Sequence, residues 1–165
     1  MLTVPRIVSL PARPYAAIRT RITMDEIMKV SPQLFGEIWG WVDAANAQPT
    51  GMTILKYNVV DMAGIMELEY GVSTAASVTS DERVLAGTLP AGRYATITHT
   101  GAYDQLYDAN AVLIGWAKER DIEWDTETKA DGDHFACRYE DYRTDPQAEP
   151  DPQKWVVDVA IKIRD

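Results

Sequence analysis

A nine-residue segment occurs twice in this chain. Leu10-Pro11-Ala12-Arg13-Pro14-Tyr15-Ala16-Ala17-Ile18 returns as Leu89-Pro90-Ala91-Gly92-Arg93-Tyr94-Ala95-Thr96-Ile97, 79 positions on. The same spacing pairs Asp25 with Asp104 and Ile27 with Leu106. Farther along, insertions shift the offset: Trp39 pairs with Trp116, Tyr57-Asn58 with Tyr139-Glu140, and residues 66–72 with 155–161. Matches in this order point to two copies of one supersecondary unit, over residues 10–75 and 89–164. The 165 residues suffice for one domain with a sizeable core, so a single domain over residues 1–165 is expected.

Each copy has the same local pattern. Residues 15–21 and 94–100 are rich in β-branched and aromatic side chains with rough alternation, the pattern of strands. Residues 31–48 place Leu34, Ile38, Trp41 or Val42, and Ala45 at helical spacing, with Ser31 as N-cap and Pro32 in the first helical position. The partner helix, 103–120, puts Leu106, Ala109, Leu113 and Trp116 on one face. Two further strands close each copy, 52–60 with 64–74 and 135–142 with 154–164, the last pair joined by a proline-rich acidic loop over 145–152. The expected fold is α+β: a tandem strand-helix-strand-strand duplication, an antiparallel sheet with two main helices on one face, and a ligand cleft between the repeats.

Charge narrows the partners. The net charge is −9, and residues 119–151 hold 12 acids against four bases. Such a chain repels phosphate backbones and carries no basic stripe, so no direct nucleic-acid binding is expected; cationic ligands are favoured. No apolar run reaches the ~18 residues of a membrane span, and residues 1–13 lack a signal-peptide core, which points to a cytoplasmic protein. Cys137, His99 and His134 are too few for a structural zinc site, so no metal or other cofactor is expected. The glycines are too dispersed for a phosphate loop, and no serine sits in a nucleophile elbow. Cys137 reads as a small core residue, and His99 as a hydrogen-bonded histidine at a strand end.

What remains is an inventory of aromatic rings, thioethers and one misplaced carboxylate. Five Trp, eight Tyr and six Met offer flat, adaptable surface for planar ligands. Glu140 lies mid-strand, where glutamate has poor propensity, and its partner in the repeat alignment is Asn58, so a symmetric scaffold does not require a carboxylate there. Alternation puts Phe135, Cys137 and Tyr139 on the helix-covered face and Glu140 and Tyr142 on the other. If that other face is the cleft, Glu140 can neutralise a cation or accept a proton. Otherwise it is an edge glutamate paired with Arg138 or Arg143.

Residues 89–95, the string His99-Thr100-Gly101-Ala102-Tyr103-Asp104-Gln105-Leu106, Trp116, Tyr139-Glu140-Asp141-Tyr142 and Asp145-Pro146 together resemble the GyrI-like family, the effector-binding domain of bacterial transcription activators. The resemblance covers nearly the whole chain. It implies binding of lipophilic, cationic aromatic compounds between the repeats, as in multidrug sensing or sequestration, with Glu140 after Tyr139 as the buried glutamate and Trp155 as a lining ring. Trp39, Tyr70, Tyr103, Trp116, Glu140, Tyr142 and Trp155 are thus the candidate ligand-binding residues. The family implies two alternatives: hydrolysis of cyclopropanoid genotoxic natural products, with Glu140 catalytic, or inhibitory binding to a protein such as gyrase.

Overall fold

A computed structural model describes residues 1–165. The strands are β1 (Arg6–Leu10), β2 (Arg13–Ile22), β3 (Pro49–Val60), β4 (Met66–Thr74), β5 (Leu85–Leu89), β6 (Gly92–Thr100), β7 (Thr126–Lys129), β8 (Gly132–Phe135), β9 (Arg138–Tyr142) and β10 (Val156–Lys162). The main helices are α1 (Ile27–Ala44) and α2 (Leu106–Lys118). All strand pairs are antiparallel, in the order β1-β6-β10-β9-β3-β4-β2-β5, with the β7–β8 hairpin attached to β3.

That order reads the same from either end once β1 is matched with β5, β6 with β2, β10 with β4 and β9 with β3. A twofold axis between β9 and β3 produces such a pattern. The edges are exchanged: β1 pairs with β6 of the second half, and β5 returns to pair with β2 of the first. The ladders also match residue by residue. Tyr15 faces Ser73 and Tyr94 faces Lys162, and Ser73 and Lys162 stand 89 positions apart, as do Met66 and Trp155.

Three clusters fill the interior. The first lies under α1, where Leu34, Ile38 and Val42 pack on Ile18, Leu55, Leu68 and Tyr70. Another lies under α2, where Leu106, Ala109 and Leu113 meet Ile97, Val157, Val159 and Ile161. The last lies on the face without helices, where the curled sheet closes on Tyr15, Ala17, Met52, Ile54, Tyr94, Cys137 and Tyr139. Both faces of the central strands are therefore buried, which period-2 alternation cannot distinguish.

This corrects the face assignment drawn from the sequence. Cys137 and Tyr139 belong to the helix-free face, while Glu140 and Tyr142 point toward the helices. Phe135 does not share the face of Cys137, because residues 136 and 137 interrupt the strand and reset its alternation; it packs against the α2 cluster. The start of α1 also differs from expectation. Glu26 accepts from the Thr23 backbone N–H at 2.8 Å, so the chain turns into helix ahead of Ile27 and Pro32 falls inside it. Ser31 is no cap; its hydroxyl donates back to the Ile27 carbonyl at 2.5 Å.

Candidate functional site

Between α1 and α2 the floor is made by β3 and β9, the two strands at the centre of the palindrome. Glu140 sits there, directly opposite Leu55. Leu55 also pairs with Tyr70, and Glu140 with Val159, again 89 positions apart. The structural counterpart of Glu140 is thus Leu55, not Asn58, which lies at a register shift in β3. The scaffold places an apolar residue at one of two equivalent positions and a carboxylate at the other.

Glu140 is only 4% exposed. Its Oε2 accepts from Tyr142 Oη at 2.5 Å and Tyr57 Oη at 3.2 Å, and its Oε1 from Asn110 Nδ2 at 3.3 Å. Burial pushes the carboxyl above the usual glutamate range, against the opposing pull of those hydrogen bonds and of Arg138. Tyr57 and Tyr142 are held well above the usual phenol range by burial and by the neighbouring carboxylate. Both stay neutral donors.

Aromatic rings surround this carboxylate. From α1, Phe35 stands edge-on to Tyr70 and Tyr142, with centroids 4.9 and 5.5 Å away. One turn earlier Ser31 Oγ lies 2.8 Å from Tyr70 Oη, and one turn later Trp39 reaches Thr53 Oγ1 at 3.2 Å. Before α2, Tyr103 meets Tyr142 edge-on at 5.2 Å and lies against Trp155 at 4.5 Å. Trp155 donates to the Glu149 carbonyl at 2.8 Å, which ties the acidic loop to this end of the seam. Aromatic pairs at these separations add about 0.5–1.5 kcal/mol each beyond the area they bury.

Of the seven candidate residues, Tyr70, Tyr103, Glu140 and Tyr142 are joined in this one group. Trp155 is attached through Tyr103, two rings from the carboxylate. Trp39 stands at the rim, about one-third exposed. Trp116 is elsewhere: it flanks the α2 cluster with Arg120 stacked 4.7 Å over its ring. Helical rotation puts it away from Asn110, which faces the seam. The sequence reading missed Phe35, Tyr57 and Asn110, and treated Arg138 only as a surface partner. Asn110 had a usable signal, a polar residue within the stripe of Leu106, Leu113 and Ala117.

The chain matches the model of the GyrI-like small molecule binding domain over residues 3–164. It belongs to this family. No curated protein matches its sequence. Solved structures share the fold. The EcmrR C-terminal domain superposes with a TM-score of 0.67 at 16% identity, covering 97% of this chain and 96% of that one. EcmrR in its DNA complex gives 0.68 at 14% identity, covering 99% of this chain, and this GyrI-like chain spans only 57% of that protein. SAV2435 bound to tetraphenylphosphonium gives 0.62 at 11% identity, covering 97% and 93%. A hydrolase from Listeria innocua gives 0.59 at 11% identity, covering 97% and 91%. No helix of this GyrI-like domain is long and apolar enough to cross a membrane.

Proposed function

We propose that this GyrI-like domain binds lipophilic aromatic compounds in the seam between α1 and α2, and that Glu140 anchors a positive charge on them. One observation carries the reading. At the centre of a near-palindromic sheet, where the equivalent residue is Leu55, a carboxylate is buried and enclosed by Tyr57, Tyr70, Tyr142, Phe35 and Tyr103. Rings supply faces for planar groups and for cations, while a carboxylate in reduced dielectric supplies the charge-assisted contact. SAV2435, a structural neighbour, is described with tetraphenylphosphonium bound, which makes that compound the natural first probe. Phe35 and Tyr103 cover Tyr142 edge-on, so entry beside Glu140 calls for these two rings to turn aside.

The test is a fluorescence and calorimetric panel of aromatic cations and size-matched neutral compounds on wild type and Glu140→Gln. A loss of affinity confined to the cations supports the reading. Equal affinities in both proteins sink it.

A second reading has one specific observation in its favour. Burial raises Glu140 toward the range in which a carboxylate acts as a general base, and the Listeria innocua neighbour is described as a hydrolase. In that reading Glu140 takes a proton from water as the water oxygen bonds to a strained ring carbon; the ring C–C bond breaks, its electron pair goes to the departing carbon, and Glu140 returns the proton there. Chromatographic conversion of a cyclopropanoid substrate, abolished in Glu140→Gln, would establish it. Absence of conversion by wild type leaves binding alone.

A further inference from the structure

Arg138 is a cation already resident in this seam. It lies two residues before Glu140 on β9, so its side chain projects to the same face. Its Nη2 donates to Asn110 Oδ1 at 2.9 Å, and Asn110 Nδ2 donates in turn to Glu140 Oε1 at 3.3 Å. The guanidinium is bracketed by two rings, with its central carbon 5.5 Å from the Tyr57 centroid and 5.0 Å from that of Phe135. Its Nε is buried and has no hydrogen-bond partner. No carboxylate oxygen lies within ion-pair distance of Arg138.

A half-buried guanidinium with its Nε shut off from water is costly unless it is paired bidentately, and this one is not. It is held instead by aromatic faces and by a carboxylate one amide away, the means by which the seam would hold a foreign cation. We propose that Arg138 is a specificity-determining residue: an internal cation that partly offsets Glu140 and so limits how strongly the seam prefers cationic over neutral aromatic ligands of the same shape. The proposal rests on the reading of Glu140 as the anchor.

Two consequences follow from the charge balance. With Arg138 in place the seam holds one potential negative and one fixed positive charge, so a permanent cation gains less from Glu140 than it would from an isolated carboxylate. Without it, Glu140 faces the ligand alone, and burial that now penalises the ion is relieved by the ligand's own charge.

The experiment is a four-protein cycle of wild type, Glu140→Gln, Arg138→Met and the double variant. Each is titrated with tetraphenylphosphonium and with neutral triphenylmethanol. Methionine keeps the unbranched stem and its packing on Tyr57 and Phe135 while removing the charge. Arg138→Met should tighten tetraphenylphosphonium by about tenfold or more, leave triphenylmethanol unchanged, and lose that gain in the double variant. If Glu140→Gln weakens the cation but Arg138→Met does not tighten it, this inference fails and the anchor reading stands. If Glu140→Gln has no effect in either background, the anchor reading itself fails. Wild type, where folding is not at issue, gives a second readout. The Arg138 Nε–H resonance should shift on saturation with tetraphenylphosphonium, and an unmoved resonance at saturation overturns the proposal.

Discussion

Glu69 on β4 and Glu140 on β9 stand two strands apart in one sheet, both nearly without exposure, and they are held in opposite ways. Glu69 lies on the helix-free face. It accepts from Tyr15 Oη and Asn58 Nδ2, receives Arg19 Nη2 at 2.9 Å, and has the nine-tenths buried Lys56 beside it. Gly87 leaves room for the Tyr15 ring that reaches it, since a Cβ there would collide with that ring. Burial alone would raise Glu69, but Lys56, Tyr15, Asn58 and Arg19 outweigh it and the carboxyl ends below its usual range. Glu140 has neutral donors and an arginine held off by Asn110, and burial wins. A saturated carboxylate is structure. One held by neutral donors, with its nearest cation one amide away, is the arrangement the proposed ligand contact needs.

The pH dependence separates them by sign. A carboxylate lowered in the fold contributes stability above the unfolded value of about 4.3, lost as pH falls through the folded value. One raised in the fold contributes stability below about 4.3, lost as pH rises through the folded value. Glu69→Gln should therefore have the largest effect on the protein, costing about 1–3 kcal/mol at neutral pH because Arg19 loses its ion pair and Tyr15 and Asn58 lose their charged acceptor. Denaturant titrations across pH should show that cost shrinking below about pH 4, with tetraphenylphosphonium binding unchanged.

Glu140→Gln comes next. It should weaken tetraphenylphosphonium about 10- to 100-fold, or about 1.4–2.7 kcal/mol, with neutral ligands unaffected. Its stability relative to wild type should improve as pH rises from about 4.3 through the raised folded value, the reverse of the trend at Glu69. A parallel trend in the two variants would break the comparison.

Much of the fold could be read from the repeated segment, the helical stripes and the alternating strands, because these are local patterns with one physical solution. The exchange of β1 and β5 could not be read. Five-residue edge strands carry no pattern that names their partner. The faces of β9 are inverted from that expectation because both are covered, one by the helices and one by the curled sheet, and the break at residues 136 and 137 shifts the phase. Glu140 stood out by its unfavourable strand propensity. The Glu69 network did not, since its partners Tyr15 and Lys56 come in from neighbouring strands and leave no local signal around Glu69.

Smaller changes sharpen the contrast. Tyr57→Phe removes one of the three donors to Glu140, which should cost about 1 kcal/mol of stability and raise the carboxyl further. The pH below which cation binding fades should then move upward, measurable by dye titration. Trp116→Phe should do least: a stability loss under about 1 kcal/mol from weaker stacking with Arg120, and no change in ligand affinity. A drop in cation affinity there would extend the seam across α2.

The most direct measurement is a crystal structure of the protein saturated with tetraphenylphosphonium. The helix-free face offers the ligand a rival position, a cavity of about 410 Å³ lined by Tyr15, Lys56, Glu67 and Glu69. The phosphonium is expected between α1 and α2, within about 6 Å of ring faces and against the Glu140 carboxylate, with Phe35 and Tyr103 turned off Tyr142. A phosphonium seated beside Glu69, with the Glu140 group as it is in the free protein, would contradict that expectation.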